Sequence, residues 1–389
     1  MGKKIVYKIK DISQIYSGGD KPDVFSEEKT EEFSVPVYSN GLDNEGLYGY
    51  TNKSQIEGDC ITVSARGVNI GTVFYRKEPF LPIVRLLSVI PDRTIIDAKY
   101  LYYYFKTDKI IGTGSAQPQL TIPFFSKKKI YVYKDLSTQQ KIASILATYD
   151  NLIQNYKKQI EDLQTCASEL YKEWFVRLRF PGYQTTQFEN GIPVGWKVER
   201  IGELYDTTSG GTPSREHDEY YQNGIYPWIK TGELNDSPII ETEEKIIADA
   251  VKHSSAKLFE KDSLIIAMYG ATIGQLGINK MPATCNQACC VLRPKKNRAF
   301  GIYYLFNFFK ENREFIIGLG NGAAQQNLSQ ILIKKLKIVN PPKEILESFE
   351  NKESVFFERI YTLQKQITNL IQQRDLLLPR LMSGKLEVE

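Results

Sequence analysis

The chain has 389 residues, 42% of them hydrophobic and 25% charged, with a net charge of +4 at pH 7. That leaves room for two or three domains, each with its own core, and argues against a largely disordered chain. No run of about 18 apolar residues occurs, which speaks against a membrane span, and two histidines, His217 and His253, leave little for a histidine base, a histidine-rich metal site or a Ser-His-Asp triad.

MGKKIVYKIKD at the start lacks the apolar stretch of a signal peptide, and five cysteines, an odd number, point to reduced thiols in a cytoplasm. From there the segments come twice, in one order. YKIKDISQIYSGG (7–19) is answered by WKVERIGELYDTTSGG (196–211), and PVYSNG (36–41) by PWIKTG (227–232). DCITVSARGVNIG (59–71) matches DSLIIAMYGATIG (262–274), and KYLYYYFK (99–106) matches YYLFNFFK (303–310). GTGSAQPQL (112–120) returns as GNGAAQQNL (320–328), and KKQIEDL (157–163) as QKQITNL (364–370). The partners lie about 190 to 208 residues apart, too far for a solenoid repeat, so the chain is a duplicated unit of half its length.

Each unit begins with short β-rich runs such as CITVSA, VFYRK, SLIIAMY and KIYVYK. An aromatic, helical segment follows, its rings assigned to the core by their spacing. A long heptad helix closes each unit. In the first, Leu146, Ile153, Ile160, Ala167 and Trp174 fall at a, with Ile142, Tyr149, Tyr156, Leu163 and Leu170 at d. In the second, Ile360 and Ile367 fall at a and Phe349, Phe356, Leu363, Leu370 and Leu377 at d. Glu353 and Arg374 interrupt that seam, and Pro341, Pro342 and Pro379 bracket the helix. The expected fold class is α+β: two mixed α/β domains joined by two long antiparallel coiled-coil helices, an internal duplication with pseudo-twofold symmetry. The expected boundaries are 1–136 for the first domain, 137–182 for the central helix, 183–340 for the second domain and 341–389 for the C-terminal helix and tail. A helix of 38 residues would span roughly 57 Å, longer than one duplex turn of about 34 to 36 Å.

Several catalytic look-alikes fall away. GLGNGAA (318–324) imitates a dinucleotide loop but lacks an acidic residue at the proper distance, and its copy carries a proline where a helix should start. NPPK (340–343) has Lys343 where a base-gripping motif needs an aromatic ring. Asp92, Asp97 and Lys99 mimic a nuclease metal site but have no counterpart in the second half. Cys285, Cys289 and Cys290 lack the paired CxxC units of a zinc site and read as small buried thiols. The chain reads as non-enzymatic, with no catalytic, cofactor or metal residues of its own.

The layout resembles the specificity subunit of type I restriction-modification systems over essentially the whole chain. The most specific pieces are SELYKEWFVRLRFPGY (168–183) and LLLPRLMSGKLEV (376–388), with weaker echoes in LSTQQKIASIL (136–146), PWIKTGEL (227–234) and VSARGVNIGTV (63–73). The resemblance implies that each globular domain is a target-recognition domain for half of a split site in double-stranded DNA, with the helices as a ruler. It implies as partners two methyltransferase subunits, which use S-adenosylmethionine to methylate adenine at N6, and restriction subunits that use ATP and Mg²⁺, all in the cytoplasm without a membrane. A twofold scaffold suits DNA, which is itself locally twofold. Two other classes stay open: a stand-alone DNA-binding protein and a coiled-coil scaffold for proteins only.

For DNA contacts the first half offers Ser64, Arg66 and Asn69 in the ARGVNIG turn, and the second offers Tyr269, Thr272 and Gln275. Lys230, Thr231 and Glu233 of WIKTGEL are candidates for the backbone and a cytosine amino group. Gln117, Gln119, Gln325 and Gln326 stand on the glycine-rich loops, and Lys127, Lys128, Lys129, Lys334 and Lys335 supply positive charge. Leu170, Trp174, Phe175, Leu378, Leu381 and Met382, near the helix ends, are expected to meet a partner subunit or their own domain.

Overall fold

Short runs rich in β-branched and aromatic residues, cut by Gly, Pro and Asn, become strands in both halves. The structure, a computed structural model, describes residues 3–112, 118–295, 301–320 and 327–388. It divides into two units: Met1–Gln154 with Asn369–Glu389, and Asn155–Thr368.

The first unit holds a four-stranded sheet in the order Ser13–Ser17, Leu87–Pro91, Cys60–Val63, Val73–Arg76, every neighbour antiparallel. The second repeats that order with Tyr205–Ser209, Cys289–Pro294, Leu264–Ala267 and Leu276–Asn279, and adds Ser237–Ile239 at the edge. A second small sheet is repeated too. Val35–Tyr38 pairs antiparallel with Leu47–Thr51 and parallel with Leu81–Pro82; Tyr226–Ile229 pairs antiparallel with Lys245–Ile246 and parallel with Thr284–Cys285. Lys4–Lys8 pairs with Lys129–Tyr133 as Lys197–Arg200 does with Lys337–Asn340. The duplication read from the sequence is therefore a duplication of hydrogen-bonded topology.

The aromatic segments are helices, α1 (Ala98–Thr107) in the first unit and α3 (Ile302–Glu311) in the second. Tyr100, Leu101, Tyr103, Tyr104 and Phe105 are buried in one core, and Tyr303, Tyr304, Leu305, Phe306 and Phe309 in the other. The two helices start differently. Asp97 caps α1, its Oδ1 accepting the Tyr100 N–H at 2.8 Å. In α3 the capping position is Gly301, and the Glu350 carboxylate accepts the N–H groups of Tyr303 and Tyr304 at 3.2 and 2.6 Å. A Cβ at position 301 would overlap that carboxylate as it stands, so a larger residue there would push Glu350 aside. Asp92 accepts from Thr94 N–H and Oγ1 within a turn.

The heptad segments form α2 (Leu136–Tyr171), continued by a wider π turn over Lys172–Val176, and α4 (Lys343–Ser383). Every a and d residue named above is buried or half-buried. Within the first unit Arg374 of α4 donates to Asp150 of α2 at 2.6 Å, and Tyr103 of α1 donates to the other oxygen at the same distance. Within the second, Arg359 meets Gln159 and Phe349 meets Trp174, so positions rise along one helix as they fall along the other. The two seam interruptions are thus explained: Arg374 ends on Asp150, and Glu353 lies under Asn307, whose Nδ2 donates to it at 3.2 Å.

The expectation that Pro379 closes the second helix is corrected. The helix continues to Ser383 because Leu381 and Met382 are buried in the first unit's core and hold the last turn. It stops at Gly384 (φ +87°), where the N–H groups of Gly384 and Leu386 return to the Arg380 carbonyl at 3.2 and 3.1 Å. Residues 330–335 form a short helix before the strand Lys337–Asn340. Among the described residues no helix is long and apolar enough to cross a membrane, and no cluster of His, Cys, Asp or Glu is placed to hold a metal ion.

Candidate nucleic-acid interface

At the end of the first unit's sheet, the turn between Cys60–Val63 and Val73–Arg76 is clamped from several sides. Its own bonds run from Ser64 N–H to Thr72 O (2.9 Å), Gly71 N–H to Ser64 O (2.9 Å) and Thr72 N–H to Asn69 O (3.0 Å). Gly67 and Gly71 take φ of +77° and +83°, the left-handed region that other residues avoid, and a Cβ on Gly71 would overlap the Ile110 carbonyl. Ala65 is held on both backbone groups. Its N–H donates to Asn40 Oδ1 at 2.8 Å, and its carbonyl accepts from Leu120 N–H at 2.9 Å, just beyond the glycine-rich loop. The Asn40 amide also donates to Val84 O at 2.6 Å, while Asn69 donates to the Asn40 carbonyl at 3.3 Å.

The second unit rebuilds the turn's own bonds, with a different partner for one N–H. Ala267 N–H to Gln275 O, Gly274 N–H to Ala267 O and Gln275 N–H to Thr272 O all measure 2.9 Å, and Gly270 and Gly274 take φ of +86° and +79°. Met268 stands where Ala65 does, accepting from Leu328 N–H at 2.7 Å and donating to Ala288 O at 2.8 Å. The frames agree while their tips differ. Arg66 and Val68 project from the first; Tyr269 and Ala271 occupy the same places in the second, and all four are exposed.

Among the candidates for contact, Arg66, Gln119, Lys127, Lys129, Tyr269, Lys334 and Lys335 are exposed; Thr231, Thr272 and Gln275 are half-buried. Lys127 and Lys128 line a cavity with Ile110, Leu120 and Phe124, which brings them to the segment that clamps Ala65. Gln117, Gln325 and Gln326 lie outside the described residues.

Other candidates are corrected. Ser64 is 1% exposed, under the turn rather than on it. The Glu233 carboxylate accepts the N–H groups of Lys230 and Glu243, each at 2.7 Å, so its first role is to lock a turn. The Lys230 ammonium is paired with Glu243 and Glu244, and Lys128 with Asp108 at 3.1 Å, which offsets their charge. Trp174, Leu381 and Met382 are buried in the cores of their own units and have no surface left for another subunit; Leu170, Phe175 and Leu378 are half-buried against those cores. Cys285, Cys289 and Cys290 are buried thiols, and burial pushes that of Cys290 up to about 12.

Asn40 was missed by looking for groups that touch a ligand rather than groups that hold the ligand-facing turn. The pairing of PVYSNG with PWIKTG, which sets Asn40 opposite Thr231, was the available signal. Asn40→Ala should strip the partner from Ala65 N–H and Val84 O and cost about 1–3 kcal/mol locally. Hydrogen exchange should quicken across residues 64–72 while the strand Cys60–Val63 stays protected; unchanged exchange there would show that Asn40 holds nothing.

The family profile described as "Type I restriction modification DNA specificity domain" matches residues 1–165 and 193–382. The chain is 32% identical to the type I restriction enzyme MjaIX specificity subunit of Methanocaldococcus jannaschii, over 82% of this chain and 76% of that one. It is 23% identical to the HindI specificity subunit of Haemophilus influenzae, over 87% and 89% of the two chains. The crystal structure of a type I restriction-modification S subunit from M. genitalium superposes with a TM-score of 0.71 over 98% of this chain and 96% of that one, at 17% identity, which speaks to the fold alone. With the profile repeated in both halves, the chain belongs to the type I restriction-modification specificity subunits.

Proposed function

We propose that each unit reads one half of an asymmetric, bipartite site in double-stranded DNA and that the chain itself performs no chemistry. One observation carries this reading: the same clamped turn is built twice, with Arg66 and Val68 on one tip and Tyr269 and Ala271 on the other. A conserved frame with divergent tips suits two different half-sites, because side chains at base edges specify while the frame positions them. Exposed Lys127, Lys129, Lys334 and Lys335 add sequence-independent attraction to phosphates.

In this reading the long helices set the unread gap and carry two methyltransferase subunits, which use S-adenosylmethionine to methylate one adenine N6 per half-site. Restriction subunits with ATP and Mg²⁺ complete the complex in the cytoplasm. Single-molecule methylome sequencing of cells expressing the chain together with a type I methyltransferase subunit should reveal a gapped motif with one modified adenine in each half. A continuous motif would overturn the reading. Duplex binding without any co-purifying methyltransferase would favour a stand-alone DNA-binding protein, and no salt-dependent duplex binding would favour a protein-only scaffold.

A further inference from the structure

Val68 is fully exposed at the apex of the first clamped turn. An apolar side chain in that position is unsatisfied by the fold, and the turn cannot withdraw it. Ala65 on one side is fixed through both backbone groups, and Gly71 on the other is wedged against Ile110. Gly67, beside Val68, has no atom of the described residues within 4 Å of where a Cβ would stand. Valine is also stiff at χ1 and loses little freedom on contact. Its neighbour Arg66, exposed on the same apex, supplies the charge that draws such a surface to nucleic acid.

We infer that Val68 is a specificity-determining residue that packs against the C5-methyl group of a thymine in the major groove. Among the base edges displayed there, that methyl is the apolar feature, and small apolar side chains are its usual partners. The second unit carries Ala271, also exposed and apolar, in the equivalent place. The inference rests on the reading that the first unit recognises duplex DNA. On the same reading, methylation of an adenine in each half-site places at least one thymine there, on the strand opposite the modified base.

The test uses the full chain assembled with its methyltransferase subunits and duplexes bearing the motif found by methylome sequencing. Each thymine is replaced in turn by deoxyuridine, which deletes only the methyl group. One replacement, confined to one half-site, should weaken wild-type binding about fourfold, the equilibrium equivalent of one buried methyl-sized group. Val68→Ser, which leaves no methyl at that position, should bind the thymine and deoxyuridine duplexes alike there, while Val68→Thr, which keeps a methyl, should retain part of the discrimination. Sensitivity to deoxyuridine in the other half-site should be unchanged in both variants. The inference is overturned if no single replacement weakens wild-type binding, or if Val68→Ser keeps the full preference for thymine. Failure to prefer the motif duplex over a scrambled one would instead remove the DNA-recognition reading on which the inference stands.

Discussion

Phe349→Ala should remove about 3–5 kcal/mol from the stability of the second unit, the cost of deleting a fully buried ring from a well-packed site. Phe349 is 0% exposed and lies at the meeting point of three elements. Its ring centroid is 4.9 Å from Phe175, 5.8 Å from Trp174 and 6.2 Å from Tyr171, all at the end of α2, and 6.3 Å from Tyr304 of α3. Most of these pairs are tilted or edge-on, arrangements that add to simple area burial. Because the surrounding rings are tied to two helices, they cannot collapse into the space left behind. Hydrogen exchange should show lost protection across α3 and residues 343–360, with Val355→Ala, at a 65% exposed position on the same helix, as the control within about 0.5 kcal/mol of wild type. A loss below about 1 kcal/mol for Phe349→Ala would mean that the cluster is not the anchor of this unit.

The second large effect is one of pH. Burial pushes the Glu353 carboxyl up to about 8 and that of Glu350 to about 7, against an ordinary value of 4.5. For Glu353, Asn307 and the nearby Lys310 pull the other way but do not offset burial, and Glu350 close by adds repulsion. For Glu350, the backbone N–H groups at the start of α3 oppose the shift. A carboxyl whose value is raised by folding binds its proton more tightly in the native state. The second unit should therefore keep this contribution intact below about pH 4.5, lose it progressively as pH rises, and have lost it above about pH 8. Between pH 5.5 and 8.5 the decline should be on the order of 3 kcal/mol from Glu353 and about 2 kcal/mol more from Glu350. Glu353→Gln, neutral and of the same shape, should flatten most of that slope in denaturant midpoints. A wild-type midpoint that rises with pH across this window would refute the assignment.

These two predictions also mark where sequence was legible and where it was not. The heptad register could be read because it repeats every seven residues, and it placed Phe349 inside. The turn glycines could be read because ARGVNIG and MYGATIG keep them at matching positions. What escaped were polar groups whose partners are distant in sequence. Glu353 looked like an interruption, because Asn307 stands 46 positions away. Glu233 looked like a base reader, because nothing in WIKTGEL announces that Glu243 N–H takes up its second oxygen. Pro379 looked like a helix end, because burial of Leu381 and Met382 is a tertiary fact that overrides the local preference. The tips are harder still: Val68 in a sequence is an unremarked valine, and only its complete exposure on a clamped turn singles it out.

The first unit is made of Met1–Gln154 and Asn369–Glu389, whereas the second is the single stretch Asn155–Thr368. On the ribosome this inverts the order of completion. The first unit is begun first but lacks Leu381 and Met382, which its core buries, until those residues too have been synthesised. At roughly 5–20 residues per second, all of 155–368 is translated in the interval, on the order of ten to forty seconds. During that time Ile142, Ala143 and Leu146, which share that core with Leu381 and Met382, have no C-terminal helix to cover them. The nascent chain must therefore carry an uncovered apolar surface on its older half while its younger half already has every residue it needs to fold.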